Sequence, residues 1–127
     1  MINDFLIISC IGKDDKLGLR INKEFFIHSF KNKKNNSESL VTEISHLLKI
    51  HKVKLDQNFS IIINQGPGSF SGIRVSLAVA KGLEISKKVK LYGYKSSDLK
   101  GFDEKNIHEL INKKLIEKKL IKPIYLS

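Results

Sequence analysis

Three consecutive isoleucines, Ile61-Ile62-Ile63, run into the turn Asn64-Gln65-Gly66-Pro67-Gly68-Ser69, and behind it stands a nearly apolar stretch, Ile73 to Leu83. An apolar run bounded by turn residues reads as a buried strand. Glycines permit positive φ and close backbone approach, and Ser69 is placed to cap a helix. The segment is therefore strand, tight loop and helix, the helix running from about Phe70 to Lys88. Between Ile73 and Leu83 the only polar residues are Arg74, Ser76 and Lys81. At about 100° per residue, Arg74 and Lys81 share one narrow stripe. Ile73, Leu77, Ala80 and Glu84 lie along one line, and Val75, Val79 and Gly82 along another. So apolar a helix needs cover beyond its sheet-facing side. With a single helical layer, that cover must come from another helix and a partner subunit.

The rest of the chain supplies the sheet. Phe5 to Cys10 is a short apolar run, hence a central strand. Lys16 to Ile21 alternates polar and apolar residues, Asn22-Lys23 makes a two-residue turn, and Phe25 to Phe30 forms a third strand of an antiparallel meander. Asn36 and Ser37 are good helix caps, and Leu40, Val41, Ile44, Leu47 and Leu48 follow at helical spacing to about His51. Val89 to Tyr94 is a further strand. The order βββαβαβ predicts an α/β fold, one mixed five-stranded sheet with helices packed on it. Ile107, Leu110, Ile111 and Leu115 are helically spaced, and Ile121 to Leu126 reads as a last strand or clamp.

Composition narrows the function classes. The chain has 127 residues, one ordinary domain. No apolar run approaches the ~20 residues of a membrane-spanning helix, the start reads as a strand, not a signal peptide, and the single Cys10 cannot form an internal disulfide. A cytoplasmic protein without membrane association is expected. The net charge of +10 invites a nucleic-acid reading, but of 23 basic residues only Arg20 and Arg74 are arginine. Specific phosphate and base readers lean on arginine's planar fork, so a solvated lysine surface accounts for most of the charge.

The glycine loop invites two readings. Exposed N–H groups at a helix start form an anion site, which makes Gly66, Gly68, Ser69 and Gly72 the candidate ligand residues. Alternatively the glycines only shape a turn. The common phosphate motifs do not fit. A P-loop needs Gly-Lys-Ser/Thr where Ser71-Gly72-Ile73 stands, and a dinucleotide fingerprint needs glycine at Ser71. A nucleophile elbow needs serine at Phe70.

Gly66-Pro67-Gly68-Ser69-Phe70-Ser71-Gly72-Ile73-Arg74, with Ala78-Val79-Ala80-Lys81-Gly82-Leu83 behind it, resembles the signature of the TsaB (YeaZ) family, Gly-Pro-Gly-Ser-Phe-Thr-Gly-Leu-Arg then Ala-x-Ala-Lys-Gly-Leu. Asn36 to Leu40 resembles the family's first-helix start, and Pro123-Ile124-Tyr125-Leu126 its Pro-x-Tyr-Leu close. The resemblance implies a lobe of the actin/Hsp70-like ATPase superfamily. It also implies a non-catalytic scaffold that binds a TsaD-like subunit, with a TsaE-like ATPase as further partner. Such a scaffold supports threonylcarbamoyl transfer to adenosine 37 of tRNA, which it meets only indirectly. ATP belongs to the partners, and this chain needs no cofactor. In isolation a homodimer is expected. Residues 1–99 correspond to the family's first lobe. Residues 100–127 are too few for its second lobe and are expected to patch the first. The superfamily's acidic residue near the end of the first strand is absent from Ile8-Ser9-Cys10, which argues against independent ATP hydrolysis.

The expected partner contacts are Phe70, Ile73, Arg74, Leu77, Lys81 and Glu84, with arginine the typical interface anchor. No catalytic or metal residues are expected. His28, His46, His51 and His108 have no ligand spacing and read as surface or packing residues. Asp14-Asp15 reads as a turn former and Cys10 as a small buried residue. Two rival readings remain: a minimal nucleotide-binding or glycoprotease-like enzyme resting on the loop, and a degenerate homodimeric or RNA-binding paralogue.

Overall fold

The computed structural model describes residues 2–11, 14–31, 37–118 and 124, with the backbone but not the side chain of Phe70. Its strands are β1 (Phe5–Ser9), β2 (Asp15–Ile21), β3 (Glu24–Phe30), β4 (Ser60–Asn64) and β5 (Lys90–Tyr94). Its α-helices are α1 (Ser37–Ile50), α2 (Phe70–Lys87) and α3 (Glu104–Asn112). The sheet order is β3-β2-β1-β4-β5, with β2 antiparallel to β1 and β3, and β4 parallel to β1 and β5. The expected βββαβαβ order is present. Asn22 and Lys23 both take positive φ, as the right-handed twist of a tight hairpin demands.

Alternation along the strands splits the core in two. Leu6, Ile8, Leu17, Leu19, Ile61, Ile63 and Leu91 face α1 and α2, meeting Leu40, Ile44, Val79 and Ala80. Phe5, Ile7, Ile62 and Tyr94 face the other way and are covered by Ile107 and Leu110 of α3, with Leu99, Phe102 and Ile111 around them. The molecule therefore has helices on both faces, not one helical layer. Helix α3 starts at Asp103, whose carboxylate accepts from the Asn106 backbone N–H at 2.8 Å. It ends before Leu115, which stands exposed. Beyond it, Glu117 and Gly93 exchange backbone hydrogen bonds at 2.8 Å in each direction. The anticipated strand or clamp at 121–126 lies outside the described residues except for Ile124, whose N–H donates to the Gln65 carbonyl at 2.7 Å.

Helix α1 is tied to the edge strand β3 by two histidines. His28 Nε2 lies 2.7 Å from Glu43 Oε2, and the His51 ring stacks on Phe26 with centroids 3.9 Å apart. His46 is exposed and His108 half-buried. Among the described residues no group of three His, Cys, Asp or Glu side chains converges as a metal site, and no helix is long and apolar enough to cross a membrane.

Candidate partner-docking face

Helices α1 and α2 lie side by side on the sheet and leave an open groove of about 480 Å³ between them. Its walls come from Val41, Ile44 and Leu48 of α1, Leu55 of the following loop, and Val79 and Leu83 of α2. Ala78 and Gly82 are both exposed, and a Cβ on Gly82 would meet nothing within 4 Å. Small residues one turn apart thus lower the ridge of α2 and make the groove. Val41 is 46% exposed and Ile85, further along α2, 80% exposed. Lys87, Ser37 and Ser45 form its polar rim. An apolar channel with a polar rim suits the ridge of another helix.

The expected contact residues divide. Arg74 and Glu84 are exposed, and Leu77 and Lys81 half-buried. Ile73 is corrected: it is fully buried and packs in the joint beneath Gly66, so it cannot touch a partner. Leu77 also packs against the core between sheet and helices. The side chain of Phe70 lies outside the described residues. What the sequence reading missed is Ala78, Gly82 and Val41. Their signal was available: Val41 widens the apolar stripe of α1 beyond what one sheet face can bury, and Ala78 and Gly82 are small residues four apart.

The glycine loop serves packing. Three of its N–H groups are spent internally: Gly66 N–H donates to Asn64 Oδ1 (2.9 Å), Ser69 N–H to the Ile11 carbonyl (2.9 Å) and Gly72 N–H to Ser69 Oγ (3.3 Å). Ser96 Oγ donates to the Pro67 carbonyl at 2.8 Å. Gly66 sits at φ +100°, a conformation side chains rarely adopt. A Cβ on Gly72 would run into the Cys10 carbonyl oxygen, and one on Gly68 into Ile11. The loop is thus a joint that locks the ends of β1 and β5 onto the start of α2. Gly66, Gly68, Ser69 and Gly72 share this loop, and the glycines are packed against protein atoms.

Residues 29–99, more than half the chain, match the family model "TsaD: tRNA N6-adenosine threonylcarbamoyltransferase". The chain belongs to the TsaD family. Within that family it is TsaB/YeaZ-like. The "tRNA threonylcarbamoyladenosine biosynthesis protein TsaB" of Buchnera aphidicola subsp. Schizaphis graminum is 27% identical over 90 residues, covering 69% of this chain and 43% of the relative. The TsaB of Buchnera aphidicola subsp. Baizongia pistaciae is 41% identical over 51 residues, 40% of this chain and 23% of that one. This chain therefore spans under half the length of these TsaD-family relatives. The solved structure of YeaZ from Pseudomonas aeruginosa superposes with a TM-score of 0.64 at 21% identity, over 76% of this chain and 45% of that one. At that identity the likeness speaks for the fold alone. The matched residues of this TsaD-family chain include α1, the loop and α2, the elements that build the groove.

Proposed function

We propose that this chain is a non-catalytic scaffold that pairs with a TsaD-like subunit through its α1–α2 face and so supports threonylcarbamoyl transfer to adenosine 37 of tRNA in the cytoplasm. A TsaE-like ATPase is the expected further partner, and ATP binds to the partners. The observation that carries this reading is the apolar groove, lined by Val41, Ala78, Val79 and Leu83, on elements that lie within the family match. The loop favours a scaffold over an enzyme in that its glycines pack against protein backbone and two of its N–H groups, Ser69 and Gly72, donate to the Ile11 carbonyl and to Ser69 Oγ. The end of β1, Ile8-Ser9-Cys10, carries no acid where the resemblance would place one in a nucleotide-hydrolysing relative.

Co-expression with TsaD of the same organism, followed by affinity purification and light scattering on a sizing column, tests the pairing. A stable one-to-one complex is expected. A charge in the groove should weaken it: Ala78→Glu desolvates a carboxylate and costs about 2 kcal/mol or more, roughly thirtyfold in Kd. Ala78 is the right position because its exposed Cβ spares the core, whereas a charge at Leu77 would also disturb folding. Undiminished pairing of a folded Ala78→Glu protein removes this face as the contact. A chain that elutes alone as a homodimer removes the scaffold reading.

A further inference from the structure

The amino ends of the parallel strands stand level at one end of the molecule: the registers pair Phe5 of β1 with Ser60 of β4, and Ser60 with Lys90 of β5. Both α1 and α2 run back to this end before the chain re-enters the sheet, α1 ending at Ile50 ahead of β4 and α2 at Lys87 ahead of β5. The two turns lie side by side. The Lys90 N–H donates to the Phe59 carbonyl at 3.0 Å, and residues 55–58 of one turn line an open hollow of about 390 Å³ together with Ser86, Lys87 and Lys88 of the other.

This end is densely basic. Lys49, Lys52, Lys54, Lys87, Lys88 and Lys90 are all exposed, and the β2–β3 hairpin brings Lys23 to the same end, since Arg20 is paired with Phe5. Among the described residues none of the lysines of the two turns is paired with a carboxylate. Asp56, the acid within the turns, accepts the Asn58 N–H at 2.8 Å. The fold does not ask for so much charge. A helix C-terminus favours a cation in its last turn, which accounts for Lys49 and Lys87. Lys52 and Lys88 stand at φ 53° and 59°, left-handed positions that glycine fills without strain, and Lys54 and Lys90 lie beyond the helices. Like charges gathered in this way repel one another unless an anion lies among them.

We propose that this end holds the phosphate backbone of a folded RNA, so that the chain touches the nucleic acid itself instead of meeting it only through a partner. The inference rests in part on the scaffold reading: Lys87 stands both on the rim of the α1–α2 groove and on the hollow, so an RNA carried by a subunit docked in the groove would pass onto the lysines. The make-up of the patch sets the mode of contact. Lysines are point charges without arginine's fork, suited to phosphates and not to base edges. Of the rings in the two turns, His51 is stacked on Phe26 and Phe59 is buried, so none is offered to an unpaired base. A duplex region gripped along its phosphates fits. The hollow, with Lys87 and Lys88 on its lining, suits a rounded backbone better than a flat anionic bilayer.

Filter binding of unmodified tRNA to the full chain without any partner, between about 50 and 200 mM salt, tests this. Saturable binding that weakens steeply with salt is expected. Removing Lys52→Gly, Lys54→Gln, Lys88→Gly and Lys90→Gln together should lower the slope of log K against log salt by about 1 for each lysine that touches phosphate. The same variant should raise the Kd about tenfold or more at the lower salt. The control Lys100→Gln, Lys105→Gln, Lys113→Gln and Lys118→Gln removes equal charge from exposed positions around α3 and should leave the slope unchanged. Glycine is at ease at positive φ, so the melting temperature of Lys52→Gly/Lys88→Gly should not fall. The groove walls are untouched, so the four-lysine variant should still pair with TsaD, and loss of RNA binding is read separately from loss of pairing. Three outcomes overturn the proposal. One is the absence of salt-dependent tRNA binding by the wild-type chain. Another is equal loss in the variant and its control, which marks diffuse attraction to a chain of net charge +10. The third is binding to phosphatidylserine vesicles through these lysines without measurable binding of tRNA, which makes the patch a lipid contact.

Discussion

Cys10 and Asp15 meet where β1 ends and β2 begins, both buried and hydrogen-bonded to each other. Burial, then the Asp15 charge, pushes the Cys10 thiol far up, so it stays protonated and serves as a donor. Burial also raises the Asp15 carboxyl, against the lowering effect of the Cys10 hydrogen bond, and Asp14 raises it further. The folded state therefore holds the Asp15 proton more tightly than the unfolded chain does. Stability from this group is fully present below the ordinary carboxylate value of 3.8 and is lost as pH climbs through the raised one. Asp15→Asn cannot ionise, so its stability relative to wild type should improve between about pH 4 and about pH 7. Urea midpoints at the two pH values check this, and a gap that stays constant or moves towards wild type contradicts it. The buried nature of Cys10 was legible in its apolar run. The role of Asp15 was not: Asp14-Asp15 after a glycine looks like any turn, and only the β1–β2 register brings Asp15 back onto Cys10.

The elements themselves were largely legible, because periodicity and caps are local. The residues that join them were not. Gly72 looked like a ligand-facing glycine, yet what it faces is the carbonyl of Cys10, some sixty residues earlier in the chain. Such an approach depends on how β1 and α2 are stacked, which no window around the loop encodes. The two glycines of α2 consequently differ in kind. Gly72→Ala forces a Cβ against backbone and should destabilise by about 1–3 kcal/mol, as overpacking does. Gly82→Ala adds a Cβ in open space on an exposed helix turn and should stabilise by about 0.5–1 kcal/mol, the helix-propensity difference. Denaturant unfolding of the two variants separates these signs. A neutral Gly72→Ala would mean that the joint yields. A destabilised Gly82→Ala would mean that the groove floor is fuller than its geometry indicates.

At the scale of the whole molecule, the sheet has two apolar faces and each needs a cover. Helices α1 and α2 take one, and α3, from the segment beyond Leu99, takes the other. The helical spacing of Ile107, Leu110 and Ile111 was visible, but its destination was not, since nothing in the spacing says which sheet face the helix meets. Phe5, Ile7 and Ile62 supplied a clue: strands apolar on both alternating faces require helices on both. Ile107 and Leu110 are fully buried, and together they contribute about 3–6 kcal/mol by burial alone. That is comparable to the roughly 5–15 kcal/mol that holds a small domain folded. Residues 1–99 on their own would also leave Phe5, Ile7 and Ile62 facing water beside an unpaired β5 edge. A chain ending at Leu99 should therefore lack a cooperative urea transition and bind a hydrophobic dye such as ANS, while the full chain unfolds sigmoidally and binds none. If the shortened chain unfolds cooperatively with stability close to that of the full one, then α3 is an ornament on a self-sufficient lobe. Loss of the transition instead makes the sheet and α3 a single folding unit, in which the helix beyond Leu99 completes the core of the lobe.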